Sequence, residues 1–237
     1  ELAKIMLSEY INTPVVINRS NSIPKWVNNK TLVIILSYSG NTYETIGALE
    51  ESRKKTKKII AISSKLGKIN NLCLEFGYGI INIPLGLQPR CALGYISSIV
   101  MLLLIRLNIV NSPRKLKLQI KESIRELKDI DKMLNHNDSP ILSIAHKIKD
   151  FTPVVYGFED STSIAALRFK NQLQENAKMI SFCNNLPEIN HNEIESWNDV
   201  NNIFFIIWLK DPFSDEKDAK SMNAAFQLID RLNIKQE

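Results

Sequence analysis

Residues 31–36 (TLVIIL) form an unbroken apolar, mostly β-branched run, the pattern of a strand buried on both faces. A polar turn, Ser37-Tyr38-Ser39-Gly40-Asn41-Thr42, follows, and then a helical stretch over 42–55. Two further runs, 58–63 (KIIAIS) and 79–84 (GIINIP), predict strands, and 91–107 predicts an apolar helix. Strand, helix and strand at this spacing predict a parallel sheet with right-handed crossovers. Pro113 opens a charged segment in which Leu116, Ile120, Ile124, Leu127 and Leu134 recur at near-helical spacing. This predicts an amphipathic connecting helix over 114–134. The Asn-rich stretch 135–140 reads as a break.

The alternation then starts again. Strands are predicted at 152–156 (TPVVY), 178–183 and 202–209, with helices over 161–175 and 215–232. Ser161 or Thr162 is suited to cap the first of these helices. Two halves of similar size, without a short-period repeat, predict a duplicated α/β module. The expected architecture is two doubly wound, three-layer domains, 1–135 and 136–237, each a parallel sheet flanked by helices.

Composition narrows this little. The 237 residues are 44% hydrophobic and 23% charged, as in ordinary globular chains, with a formal charge of +5. The basic residues are dispersed, with modest clusters at 53–58 and 114–121 and few aromatics between them, which argues against nucleic acid as the partner. No apolar run approaches the ~20 residues a bilayer span needs; the longest is 99–105. Three cysteines, Cys73, Cys91 and Cys183, form no CxxC pair, and His136, His146 and His191 are scattered. Neither set has metal-ligand spacing, and sparse thiols suit a reducing, cytoplasmic location. The chain opens at Glu1 on what reads as the body of a helix, so the expectation is that it begins inside a longer protein.

Chemistry concentrates first in the SYSGNT turn. It follows a buried strand and precedes a helix, the place where open α/β sheets bind ligands. Backbone N–H groups at a helix N-terminus attract an anion, hydroxyls add neutral hydrogen bonds, and Gly40 lets the backbone approach closely. The turn is neither a GK[ST] phosphate loop nor a GxGxxG dinucleotide turn. It suits a monoester phosphate on a small sugar. One Ser or Thr also suffices for simple helix capping, and local chemistry leaves both readings open.

Ser37-Tyr38-Ser39-Gly40-Asn41-Thr42 resembles the SYSGNT loop of sugar-isomerase (SIS) domains. Residues 84–95 (PLGLQPRCALGY) resemble the P-x-G-x-Q-P-R-x-A-x-G-Y segment of archaeal-type bifunctional phosphoglucose/phosphomannose isomerases. Residues 175–178 (ENAK) and 187–193 (PEINHNE) are similar to two further segments of that family. These motifs, in the family's order, cover nearly the whole chain.

The resemblance implies two SIS domains and an aldose–ketose isomerase acting on glucose 6-phosphate, mannose 6-phosphate and fructose 6-phosphate, without metal or other cofactor. It implies that Ser37, Ser39 and Thr42 hold the phosphate and that Arg90 stabilises the enediolate. Glu175 would move the proton between C1 and C2, and His191 would assist ring opening. It further implies a homodimer with each histidine serving the neighbouring subunit's site. The family's glycine-rich GGS turn, with the sheet's first strand, is expected immediately before Glu1. Ser196 stands where the family usually has glycine. A lysine near the C-terminus often completes the site; Lys235 is the nearest candidate, with Asn233 as the alternative at that place. Choice between glucose and mannose is expected to depend on the last helix, near 226–230. The competing reading is an SIS sensor that binds a sugar phosphate without converting it.

Overall fold

The computed structural model describes residues 1–134, 139–199 and 203–237. His136, the 135/136 boundary and the start of the strand expected from 202 lie outside these residues. The chain divides into two compact units, Glu1–Pro113 and Arg114–Glu237. The division falls ahead of the connecting helix rather than after it, so that helix belongs with the second unit.

In the first unit, α1 (Leu2–Leu7) packs against α4 (Leu93–Arg106). Between them run β1 (Val33–Ser37), α2 (Tyr43–Ser52), β2 (Ile59–Ser64), α3 (Lys68–Phe76) and β3 (Gly79–Ile83). The strands are all parallel in the order β1-β2-β3. The register sets Ile35 beside Ala61 and Ala61 beside Ile80, so these side chains share one face. Leu49 from α2 and Ile69 and Cys73 from α3 cover that face. Helix α3 is an element that the sequence pattern did not announce. It ends on Gly77, which takes the left-handed conformation (φ 70°) usual for a helix stop.

The second unit starts with α5 (Pro113–Leu134) and α6 (Pro140–Ile148), the latter opening at the end of the stretch that reads as a break. Then come β4 (Thr152–Phe158), α7 (Ser163–Gln172), β5 (Phe182–Leu186), α8 (Glu193–Ser196), β6 (Phe204–Trp208) and α9 (Glu216–Arg231). The parallel order is β5-β4-β6. The chain end continues this sheet: Ile206 N donates to Lys235 O (2.9 Å) and Glu237 N to Ile206 O (3.0 Å). Alternate residues serve two cores. Val154, Tyr156, Ile206 and Trp208 pack with Met222 and Ile229 of α9, whereas Val155, Phe205 and Ile207 pack with Ala166 and Leu173. Among the described residues no helix is long and apolar enough to cross a membrane.

Candidate functional site

The turn after β1 is held by its own hydroxyls. Buried Ser37 and exposed Thr42 pair through their side-chain oxygens at 2.8 Å. Gly40 N donates to Ser37 Oγ (3.1 Å) and Asn41 N to Ser39 Oγ (3.2 Å). Thr42 occupies the N-cap position of α2, yet its side chain makes no cap bond. Its hydroxyl faces Ser37 instead, and the first amides of α2 keep their capacity for an anion.

Backbone contact explains the glycines. Gly40 has φ 68°, and a Cβ there would lie 2.9 Å from Ser63 Oγ and 3.2 Å from Gly67 Cα. Gly67, at φ 143°, would put a Cβ 2.6 Å from the Ser39 carbonyl oxygen. The turns after β1 and β2 therefore meet backbone to backbone, through two residues without side chains. Asn41 Oδ1 accepts Lys68 N (2.9 Å), so it also closes the first turn of α3.

Tyr38 joins this turn to the loop after β3. Its Oη donates to the Pro84 carbonyl (3.0 Å) and accepts from Leu87 N (2.8 Å). Beyond that loop the 3₁₀ turn Pro89–Cys91 carries half-buried Arg90 and leads into α4. Ser37, at the end of β1, and Ser39, Thr42 and Arg90 thus all lie at or beyond the C-terminal ends of parallel strands, where such sheets bind ligands. A groove of about 230 Å³ between residues 16–20 and β1 is lined by Ile17, Trp26, Ile34 and Leu36. None of the candidate side chains lines it.

In the second unit the candidates separate. Helix α7 passes into a π-helical turn, Leu173–Ala177, and Lys178 then adopts a left-handed conformation (φ 58°). Glu175 lies exposed in that turn, and Lys178 Nζ donates to its backbone carbonyl at 2.7 Å. The turn moves the start of β5 from the expected 178 to Phe182. Glu175 therefore sits at the end of the sheet where β5 begins. Lys235 shares that end, on the far side of β6, with its ammonium 4.2 Å from the centre of the Phe151 ring just before β4. Asn233 has a structural role close by in the chain. Left-handed (φ 57°), it follows the last turn of α9 and donates from its amide to Asp230 O (3.0 Å).

His191 lies at the other end, past the C-terminus of β5, in the 3₁₀ turn Glu188–His191. Glu175 and His191 thus lie beyond opposite ends of β5 within one unit. His191 is exposed, as are Asn190 and Asn192 on either side of it. Ile189 and Ile194 are buried, Asn190 Nδ2 donates to Ser221 Oγ of α9 (3.0 Å), and Asn192 Oδ1 accepts Glu193 N (2.5 Å).

Sequence reasoning missed a partly buried polar chain behind this turn. Trp197 Nε1 donates to Tyr156 Oη (3.0 Å), Tyr156 Oη donates to Glu193 Oε1, and Asn184 Nδ2 donates to Glu193 Oε2 (2.5 Å). Burial first, and then the bond to Glu193, push the Tyr156 phenol far above its usual range. His146 is exposed on α6 and meets none of these groups. Among the described residues no three His, Cys, Asp or Glu side chains gather as metal ligands.

Parallel sheets flanked by helices, with a hydroxyl-rich turn at a strand's C-terminal end, place the chain among the SIS folds of phosphosugar proteins. Its backbone is similar to the C-terminal domain of glucosamine-fructose-6-phosphate aminotransferase from Francisella tularensis (TM-score 0.66, 18% identity), covering 99% of this chain and 66% of that one. The family model "Bacterial phospho-glucose isomerase C-terminal SIS domain" matches residues 137–235.

Over 235 residues the chain is 34% identical to a bifunctional phosphoglucose/phosphomannose isomerase of Caldicellulosiruptor bescii, covering 96% of this chain and 68% of that protein. It is also 31% identical over 199 residues to a D-glucosamine-6-phosphate 4-epimerase of Sulfolobus acidocaldarius, covering 84% and 61%. The chain belongs to the bifunctional phosphoglucose/phosphomannose isomerase family, and it spans about two thirds of the length of these relatives.

Proposed function

We propose that the protein interconverts fructose 6-phosphate with glucose 6-phosphate and mannose 6-phosphate through an enediol, and that each unit is an SIS module. The observation that carries this reading is the Tyr38 bridge, which joins the hydroxyl turn to the loop leading to Arg90 at one end of a parallel sheet. A phosphate bound by Ser37, Ser39, Thr42 and the first amides of α2 fixes the reacting carbons at a set distance from its anchor. Arg90 stabilises the oxyanion of the enediolate. Glu175 takes the proton from one carbon and returns it to the next, and His191 transfers a proton at the ring oxygen.

The placement of Glu175 and His191 beyond opposite ends of β5 supports a homodimer. A single small sugar that meets both groups takes the carboxylate from one copy and the imidazole from another.

The test is incubation of the purified protein with fructose 6-phosphate, in EDTA, with separate assays for the two aldose products. Formation of both is expected. Glucose 6-phosphate alone keeps the mechanism and narrows the substrate. Saturable binding without product turns the reading into that of a sensor. Conversion of glucosamine 6-phosphate alone moves it to the chemistry of the Sulfolobus relative.

A further inference from the structure

The PEINHNE turn is the one candidate segment whose side chains are tied down almost everywhere except at the proposed functional residue. Ile189 and Ile194 are buried in the core of the second unit beside Tyr156 and Trp197. Asn190 is held by Ser221, and Asn192 both donates to Glu188 Oε1 (2.7 Å) and caps α8. Hydrophobic packing and the Asn190–Ser221 bond hold the turn against α9. Glu193 ties it to the sheet as well. Its two carboxylate oxygens accept from different strands, Tyr156 of β4 and Asn184 of β5.

The donors are themselves fixed. Tyr156 has no exposed surface, and its oxygen receives the Trp197 indole N–H at 3.0 Å. That leaves its own proton for Glu193. Asn184 Oδ1 is occupied by Asn185 N (2.9 Å), which turns the amide's N–H₂ toward Glu193. Every hydrogen in this set of bonds runs toward the carboxylate, so an ionised Glu193 satisfies all the partners at once. A glutamine there keeps one acceptor and brings an N–H₂ against the Asn184 donor.

We infer that Glu193 is a positioning residue: anchored to β4 and β5, it sets the orientation of the Glu188–His191 turn and so aims the exposed His191 imidazole at the substrate. The inference rests on the proposed ring-opening role of His191. Glu193 touches no reacting atom in this scheme and acts only through the histidine.

The experiment is a double-mutant cycle on kcat/KM for fructose 6-phosphate turnover, with His191→Ala, Glu193→Ala and Glu193→Gln singly and His191→Ala/Glu193→Ala together. Thermal melts run alongside. His191→Ala is expected to lose about 10²–10⁴-fold. Glu193→Ala is expected to lose about 10²-fold, the effect of a misplaced group, and Glu193→Gln about tenfold, with one charge-assisted bond gone. The decisive reading is the double variant, which should be no slower than His191→Ala alone, because a misaimed side chain that is absent has nothing left to lose. Losses that multiply instead overturn the inference and leave Glu193 a structural residue. Full activity in Glu193→Ala, with His191→Ala impaired, also overturns it. Full activity in His191→Ala defeats the ring-opening assignment itself, a separate failure visible in the single variant. Should Glu193→Ala fail to fold, the cycle is run with Glu193→Gln and gives the same two readings.

Discussion

At the scale of single residues, the hydroxyl turn depends on atoms that are not there. A Cβ on Gly67 would come within 2.6 Å of a carbonyl oxygen, from a φ of 143° that side chains rarely adopt. Neither backbone can yield without moving the turn that holds Ser37 and Ser39. Gly67→Ala should therefore lower stability by about 1–3 kcal/mol and weaken fructose 6-phosphate binding together with it, as seen by thermal melts and calorimetric titration. An alanine that binds normally would mean that the two turns are independent.

Tyr156 gives a prediction in pH. Its folded-state pKa is raised, by burial first and by its bond to Glu193 second. Above the ordinary tyrosine value of about 10, the unfolded chain gives up this proton while the folded chain keeps it. Stability from this group is thus fully present below about pH 10 and is lost as pH rises beyond it. Melting temperature measured from pH 8 to 11 should fall more steeply for the wild type than for Tyr156→Phe. Parallel curves would remove Tyr156 from the alkaline response.

At the scale of elements, the hydroxyl turn and the loop after β3 act as one unit because Tyr38 bonds to both. Tyr38→Phe removes two hydrogen bonds and leaves the ring in place. KM for fructose 6-phosphate should rise roughly tenfold, the scale of one to two lost bonds, with little change in melting temperature because Tyr38 is only half-buried. A variant with unchanged KM would mean that the two loops hold their places unaided.

The same bridge shows where sequence reading reaches its limit. Both loops are legible, since each is a contiguous motif, but the bond between them links residues more than forty positions apart. The Glu193–Tyr156 contact is hidden for the same reason. Strands β1, β2 and β3 are legible because short runs rich in β-branched residues have few alternatives. Helix α3 is not, although Ile69, Leu72, Cys73 and Phe76 carry the i, i+3, i+4, i+7 spacing; Asn70 and Asn71 and the short length conceal it. Helix α6 is hidden by taking Pro140 as a break, whereas proline is well suited to the first helical turn. The start of β5 is displaced because Met179 and Ile180 read as strand, and a π turn with a left-handed lysine cannot be anticipated from apolar pattern.

At the scale of the whole molecule, the roles proposed for Glu175 and His191 bear on how many chains an active site takes. Parallel topology sends α7 from the C-terminal end of β4 back to the start of β5, which carries Glu175 to one end of the sheet. The chain then climbs β5 and delivers His191 at the other. A change of side-chain rotamer reaches only a fraction of the length of the strand that lies between them. Two copies solve the problem if each lends its histidine to the other. This makes a sharp prediction for mixed dimers of Glu175→Gln and His191→Ala, each nearly inactive alone. In a mixed dimer one site combines both defects, while the other combines the intact Glu175 of one chain with the intact His191 of its partner. Random exchange makes half the dimers mixed, so co-refolded protein should recover about a quarter of wild-type activity, as closed two-fold symmetry requires. Activity that stays at the level of the separate variants would place both groups in a site made by a single chain. It would then require that Glu175 or His191 be replaced by another residue in the mechanism.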